Sequence, residues 1–434
     1  MAAVLAMVGV AVGLGNFWRF PYLVGQFGGA AFVLFYLLVV AVIGVPGLMA
    51  EWTLGRHTRR GTVGAFERAG MPFGRAIGWF LFVIMLASSA YYTNAVGWVL
   101  AHAVASLLSA LGLPAFNAAS VLPPAQGFAA TSFLLQIVCT LTVLGCAWVV
   151  LSRGLREGIE AMSRLVIPAL SVILVILIVR GLTLPGAATG VHWYLFKFDL
   201  SGLTGSVMVA ALGQVVFSIG LGGVFMVVYG SYLSDSEKLA RSAFFTAGAD
   251  TLAGLLAGLA IFPAVFALGL EPGTGPGLIF DTLPRVFAAI PAGAIFATLF
   301  FAGLFAVALL SDIAAFEVVI AGITDNTRLT RRRALATVLP IVFILSLPPM
   351  INMRIFVPWD LTFGSGMQTL GALLSVLAVG WSIQRSVALE QLARHGTPAP
   401  RLLYLWLRFV VPGCILLVGV WWLLTDVLHV AGGV

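Results

Sequence analysis

Apolar residues run in long blocks along this chain rather than alternating with polar ones; residues 31–50, for example, hold no charge. A membrane-spanning helix needs about 20 such residues, whereas a strand of a transmembrane barrel needs about 10 of alternating polarity. The blocks therefore predict helices. Bounded by turn signals, they predict about eleven spans, near 2–26, 29–55, 74–110, 128–150, 160–182, 203–231, 240–270, 293–324, 333–351, 358–388 and 401–428. Two of these are interrupted, the first by Gly13-Leu14-Gly15-Asn16 and the sixth by Gly220-Leu221-Gly222-Gly223. Glycine weakens a helix by about 1 kcal/mol per residue, and unwound backbone at membrane depth is tolerated only where protein or a cavity surrounds it. Each interruption falls in the first helix of a five-span set. The pattern predicts a 5+5 inverted repeat over residues 1–182 and 203–388, with 401–428 as an additional helix and a binding site between the breaks. Close helix packing through small residues is the alternative use of the same glycines.

Composition agrees. The chain is 61% hydrophobic and 9% charged with a mean hydropathy of +1.09, against about 25% charged residues in soluble domains, so the fold class is an all-α polytopic membrane protein in a lipid bilayer. The net charge of +7 does not point to nucleic acid, because the basic residues lie between the apolar blocks. Arg56, Arg59, Arg60, Arg68 and Arg75 follow the second span, and later connections on the same side carry most of the rest, whereas the other side has Arg180, Lys197, Arg285 and Arg354. This asymmetry predicts a cytoplasmic-membrane protein with its N-terminus inside and its C-terminus outside. The first apolar run continues into Arg19 and reads as an interrupted span rather than a cleavable leader. Connections 111–127, 183–202 and 271–292 are rich in Pro and Gly, as expected of outer loops holding short lid helices. Cys139, Cys146 and Cys414 lie in apolar stretches without metal-ligand spacing. No His-rich cluster, nucleophile motif or phosphate loop is present, so no enzyme is expected.

Polar residues inside apolar spans cost a few kcal/mol each unless paired or hydrated and mark function by default. Asn16, Arg19, Glu51, Gln214, Asp250, Asp312, Glu317 and Asp360 form this set. Asn16, Asp250, Ser218 and free carbonyls at the first break are hard oxygen donors that suit a small cation such as Na⁺. The half-helix N-termini near Asn16 and Gly222 favour an anionic group, such as an amino acid carboxylate.

The run from Val8 to Pro21, Val-Gly-Val-Ala-Val-Gly-Leu-Gly-Asn-Phe-Trp-Arg-Phe-Pro, closely resembles the first helix of the neurotransmitter:sodium symporter family. The likeness continues through Gly28-Gly29, Glu51-Trp52, Gly55-Arg56, Tyr91-Tyr92, Gly213-Gln214, Phe217-Ser218 and Trp359-Asp360, over essentially the whole chain, and points to the bacterial amino acid transporters. The resemblance implies a first sodium held by the Ala11 carbonyl, Asn16, Ser218 and Asp250 with the substrate carboxylate. Asp250 stands where other members have Asn; its charge implies no chloride requirement. Tyr92 would hold the carboxylate and Phe217 cover it, with Ala11, Gly13, Gly15, Ser88, Ser218, Gly220, Gly223, Ser311 and Ala315 completing the substrate site. Gly13 leaves room for a carboxylate where carriers of simple amines have Asp. The small pocket residues imply a neutral, bulky hydrophobic or aromatic amino acid.

By the same resemblance Arg19 and Asp360 form an outer gate, Gln214 holds Arg19, and Glu51 bonds the unwound sixth span. A second sodium site would use the carbonyls of Gly9, Val12 and Val307 with Ser311, but Leu310 replaces one oxygen; Asp312 either compensates or faces the substrate. One or two sodium ions are therefore expected. The family's basic N-terminal segment, which latches the inner side against the position of Asp325, does not precede the first span, implying a weakened inner gate or a start upstream of Met1. The implied activity is sodium-coupled symport by alternating access, in a protein working as a monomer. A non-transporting amino acid sensor and a sodium-independent exchanger remain as alternatives.

Overall fold

The computed structural model describes residues 11–153, 161–199, 204–272, 277–394, 399–422 and 424; Gly9 lies outside them. No strand occurs among the described residues. The first span is helical at Ala11, leaves the helix at Val12-Gly13, and rewinds through a wide turn, Gly15–Arg19, into α1 (Phe20–Phe27). Gly28 and Gly29, at φ 98° and 68°, turn the chain into α2 (Ala30–Thr58), a conformation that favours glycine. There follow α3 (Gly74–Ala110), α4 (Ala130–Ser152) and α5 (Ala161–Leu182). The broken sixth span supplies α6 (Gly205–Ile219) and α7 (Phe225–Ser231). The remaining helices are α8 (Leu239–Ala267), α9 (Gly293–Asn326), α10 (Arg331–Met350), α11 (Met353–Ser382) and α12 (Pro400–Trp422). Nine helices among the described residues are long and apolar enough to cross a membrane; the two interrupted spans fall outside that count. Short helices Ala187–Leu195 and Leu283–Ala289 occupy two of the expected lid loops.

One boundary differs from the sequence reading. The tenth span runs from Met353 to Ser382 instead of 358–388, because the Asn352 side chain accepts the Ile355 N–H at 3.2 Å and starts the helix early. Ile383 is extended, and Arg385–Ala393 forms a separate short helix. Asp360 therefore sits inside α11, buried, at the start of a wide-turned segment, Asp360–Gly366, rather than at a helix mouth.

Aromatic packing joins the first break, α3 and α11 to the segment Leu278–Thr282: Trp98 lies 4.5 Å from Phe356 and 5.8 Å from Phe280, and Trp18 packs 6.1 Å from Phe280. Several buried polar groups pair within the interior, where lipid offers no partner. Asn94 Nδ2 donates to the Ser346 carbonyl at 2.8 Å, Trp98 Nε1 to Gln136 Oε1 at 3.1 Å, and Gln136 Nε2 to the Met350 carbonyl at 3.0 Å, tying α3 and α4 to the end of α10.

At the second break Gly220, Gly222 and Gly223 have φ of 76°, 142° and 74°, which side chains with a Cβ avoid. The freed N–H groups of Gly222 and Gly223 both donate to Glu51 Oε1 at 2.8 Å, from a side chain with no exposed surface. A carboxyl from α2 thus replaces two lost helical acceptors. Glu51→Leu is expected to leave both donors unsatisfied, at about 1–3 kcal/mol each, and to lower the thermal unfolding midpoint in detergent. Glu51→Gln, which keeps one oxygen in place, should lose less; equal melting of the Leu variant and the parent would contradict this role.

Candidate functional site

The first break gathers oxygen atoms from three spans. Gly13 N–H donates to Asn16 Oδ1 at 2.8 Å, and Leu14 N–H donates to Tyr92 Oη of α3 at 3.2 Å, so side chains take up the donors released by the unwound turn. Asn16 Nδ2 donates to Ser218 Oγ of α6 at 3.0 Å and to the Asp250 carbonyl and Oδ1 of α8 at 2.8 and 2.7 Å. Ser218 Oγ donates to Asp250 Oδ1 at 3.0 Å. All three side chains are buried, and Asp250 Oδ2 has no hydrogen-bond partner. No basic side chain pairs with Asp250 among the described residues. An ionised carboxylate in this position costs several kcal/mol without a partner, and a small hard cation among these oxygens supplies one.

A cavity adjoins this cluster, lined by Ala11, Gly13, Gly15, Ser88, Tyr92, Phe217, Ser218, Gly220, Ser311 and Ala315, as well as Met85, Ser89, Tyr91, Phe225 and Gln368. Its volume is about 70 Å³, and at roughly 10–15 Å³ per water this is the room of a small organic solute, not of one ion. A Cβ on Gly13 would come 2.5 Å from Ser311 Oγ and 3.0 Å from Tyr92 Oη, so glycine is what lets the backbone approach. Gly223 does not line the cavity: a Cβ there would meet Leu81 and Ser375, and its N–H is held by Glu51. Met85 and Ser89 share the α3 face of Ser88 and Tyr92 and follow from helical spacing; nothing in the sequence around Gln368 marks it.

Arg19 packs against the Phe217 wall of the cavity. Its guanidinium lies 5.0 Å over the Phe217 ring, donates to Gln214 Oε1 at 3.3 Å and to Ser365 Oγ, and places Nε 3.7 Å from Asp360 Oδ2. Gln214 Nε2 in turn donates to the Gly15 carbonyl at 2.8 Å, so Arg19 is tied to the first break. Ser365 went unnoticed in the sequence because a lone serine in an apolar span carries no signal of its own.

The residues expected to form a second sodium site offer fewer oxygens. Ser311 Oγ donates to the Val12 carbonyl at 3.2 Å, and Val307 and Leu310 are fully buried. Asp312 points elsewhere: its Oδ1 accepts from Thr93 Oγ1 of α3 at 3.3 Å. Glu317 pairs with Arg331 at 2.6 Å, a structural tie. Asp325 lies near Arg60, about 20 Å along α9 from Ser311 at 1.5 Å per residue, remote from the outer gate.

With this geometry in hand, comparison with known proteins is direct. The profile of the sodium:neurotransmitter symporter family matches residues 1–118 and 116–426. An uncharacterised sodium-dependent transporter of Haemophilus influenzae is 31% identical over 442 residues, covering 96% of this chain and 95% of that protein. One of Bacillus subtilis is 32% identical over 436 residues, covering 96% and 94%. The sodium-dependent dopamine transporter of Bos taurus is 30% identical over 427 residues, 87% of this chain and 61% of that protein. The crystal structure of MhsT in complex with L-phenylalanine superposes with a TM-score of 0.85 at 33% identity, covering 97% of this chain and 98% of that one.

The gate expected at Arg19 is testable by labelling. In a background lacking Cys139, Cys146 and Cys414, a cysteine introduced by Ser88→Cys should react with an impermeant maleimide at least about tenfold faster when Arg19→Ala is added, a shift of about 1.4 kcal/mol toward open forms. Equal rates would mean that Arg19 does not seal the path.

Proposed function

Because the chain belongs to the sodium:neurotransmitter symporter family, a family of sodium-coupled membrane transporters and not of enzymes, we propose that it carries a neutral hydrophobic or aromatic α-amino acid inward with Na⁺ by alternating access. The observation that carries this reading is the contact of Asn16, Ser218 and Asp250 beside a solute-sized cavity. In it, the Asn16 amide, whose Nδ2 here donates to Ser218 and Asp250, turns its oxygen to Na⁺, which Ser218, Asp250, the Ala11 carbonyl and the substrate carboxylate also hold; Tyr92, which accepts the Leu14 N–H, donates to that carboxylate. The absence of a side chain at Gly13 gives that carboxylate its space. An ion and a substrate that share a ligand each raise the other's affinity, which is what coupling requires.

Asp250 supplies the fixed negative charge, so transport proceeds without chloride. Leu310 leaves the second site with the carbonyls of Val12 and Val307 and the Ser311 hydroxyl, so one Na⁺ binds much more tightly than any second. An aromatic substrate is supported by Met85, Phe217 and Phe225 in the cavity wall and by the likeness to MhsT, whose structure holds L-phenylalanine. The halves 1–182 and 203–388 act as the inverted repeats, in a monomer of the cytoplasmic membrane with its N-terminus inside. Arg19 and Asp360 part to admit substrate and close over it.

Uptake of labelled L-phenylalanine, L-tyrosine and L-tryptophan into proteoliposomes tests this reading. Concentrative uptake is expected under an inward Na⁺ gradient, unchanged when gluconate replaces chloride, absent with K⁺ and lost in Asn16→Ala and Asp250→Ala. Sodium-dependent binding without uptake would instead make the protein a sensor, and uptake indifferent to Na⁺ would make it an exchanger.

A further inference from the structure

Resting on the amino acid reading above, we infer that the cavity selects an aromatic side chain bearing its own hydrogen-bond donor, an indole N–H or a phenol O–H, through the amide oxygen of Gln368. The cavity follows α3 from Tyr92 past Ser89 and Ser88 to Met85, seven residues and so about 10 Å at 1.5 Å each, the length of an amino acid with a ring. Its Tyr92 end, with the Leu14 N–H, takes the carboxylate. At Ser88, one turn along α3 from Tyr92, the wall carries Gln368; Met85, Phe217, Phe225 and Ala315 also line the cavity.

A chain of hydrogen bonds sets which way the Gln368 amide points. The wide turn Asp360–Gly366 leaves the Phe363 carbonyl to accept Ser88 Oγ–H at 2.7 Å, which commits the serine proton. Ser88 Oγ, left as an acceptor, takes Gln368 Nε2–H at 3.2 Å. Turning the amide over would set two acceptors against each other, so Nε2 stays on Ser88 and Oε1 remains as the acceptor; no described residue donates to it. Ser89 Oγ also lines the cavity, buried and without a partner. Among the described residues the lining includes no acidic, basic or histidine side chain, so the group that fits is neutral. Short polar side chains do not reach this depth, whereas a ring fills the apolar walls and carries a donor to the end.

A ring without a donor displaces the water that would otherwise satisfy Gln368 and leaves a buried acceptor empty, at about 1–3 kcal/mol. A site of this kind rejects the analogue that lacks the donor. The test is competition against sodium-driven uptake by tryptophan and 1-methyltryptophan, and by tyrosine and O-methyltyrosine, in the parent, Gln368→Met and Ser88→Ala. In the parent, methylation should weaken binding at least about tenfold for one of the two pairs. In both variants the same methylation should matter less than about threefold, a ratio that cancels any general loss of activity. Equal binding of methylated and unmethylated ligands by the parent, or a methylation effect that persists in both variants, overturns the inference and leaves the transport reading standing. If no amino acid competes or is taken up in Na⁺, both fall.

Discussion

Backbone N–H and C=O groups released from a helix in the middle of a membrane have no water to turn to, and the working parts of this protein follow from how two such gaps are filled. At the second gap one buried carboxyl, Glu51, receives two glycine N–H groups and closes the account structurally. At the first, Asn16 and Tyr92 take the N–H groups of Gly13 and Leu14. The same Asn16 reaches across through its amide nitrogen to Ser218 and Asp250, so the repair of a broken helix also draws the oxygens of those two residues together in a dry, low-dielectric place. There a single positive ion is worth far more than it would be in water.

The proposed gate uses the same logic with the opposite sign. Arg19 is buried, an expensive position for a cation, and is held by Gln214, Ser365, the face of Phe217 and the charge of Asp360. These partners come from α6 and α11, so the guanidinium keeps them only while the first span, α6 and α11 are packed together. In the proposed gate, closure is linked to the first break, since Gln214 holds both Arg19 and the Gly15 carbonyl.

Much of this was legible in the sequence, for a physical reason. Glycine pairs and charges inside apolar spans are costly, so their presence alone locates the breaks and the buried polar set, and the helical membrane class and the family follow from the same residues. What was not legible depends on the rotation and path of individual helices. The start of α11 turned on one asparagine cap, Gly223 faces Leu81 and Ser375 instead of the cavity, and Asp312 bonds Thr93 one face away from Ser311. Ser365 and Gln368 sit on the segment of α11 where the turns widen or have just closed, so helical spacing from Asp360 does not place them.

If the ion cluster and the solute cavity are one linked site, each ligand strengthens the other. Equilibrium binding of labelled L-tryptophan to purified protein, titrated at several Na⁺ concentrations and again in K⁺, tests this most directly. Na⁺ is expected to tighten the amino acid at least about tenfold, and the amino acid to tighten Na⁺ by the same factor. Amino acid affinity that is the same in Na⁺ and in K⁺ would contradict it.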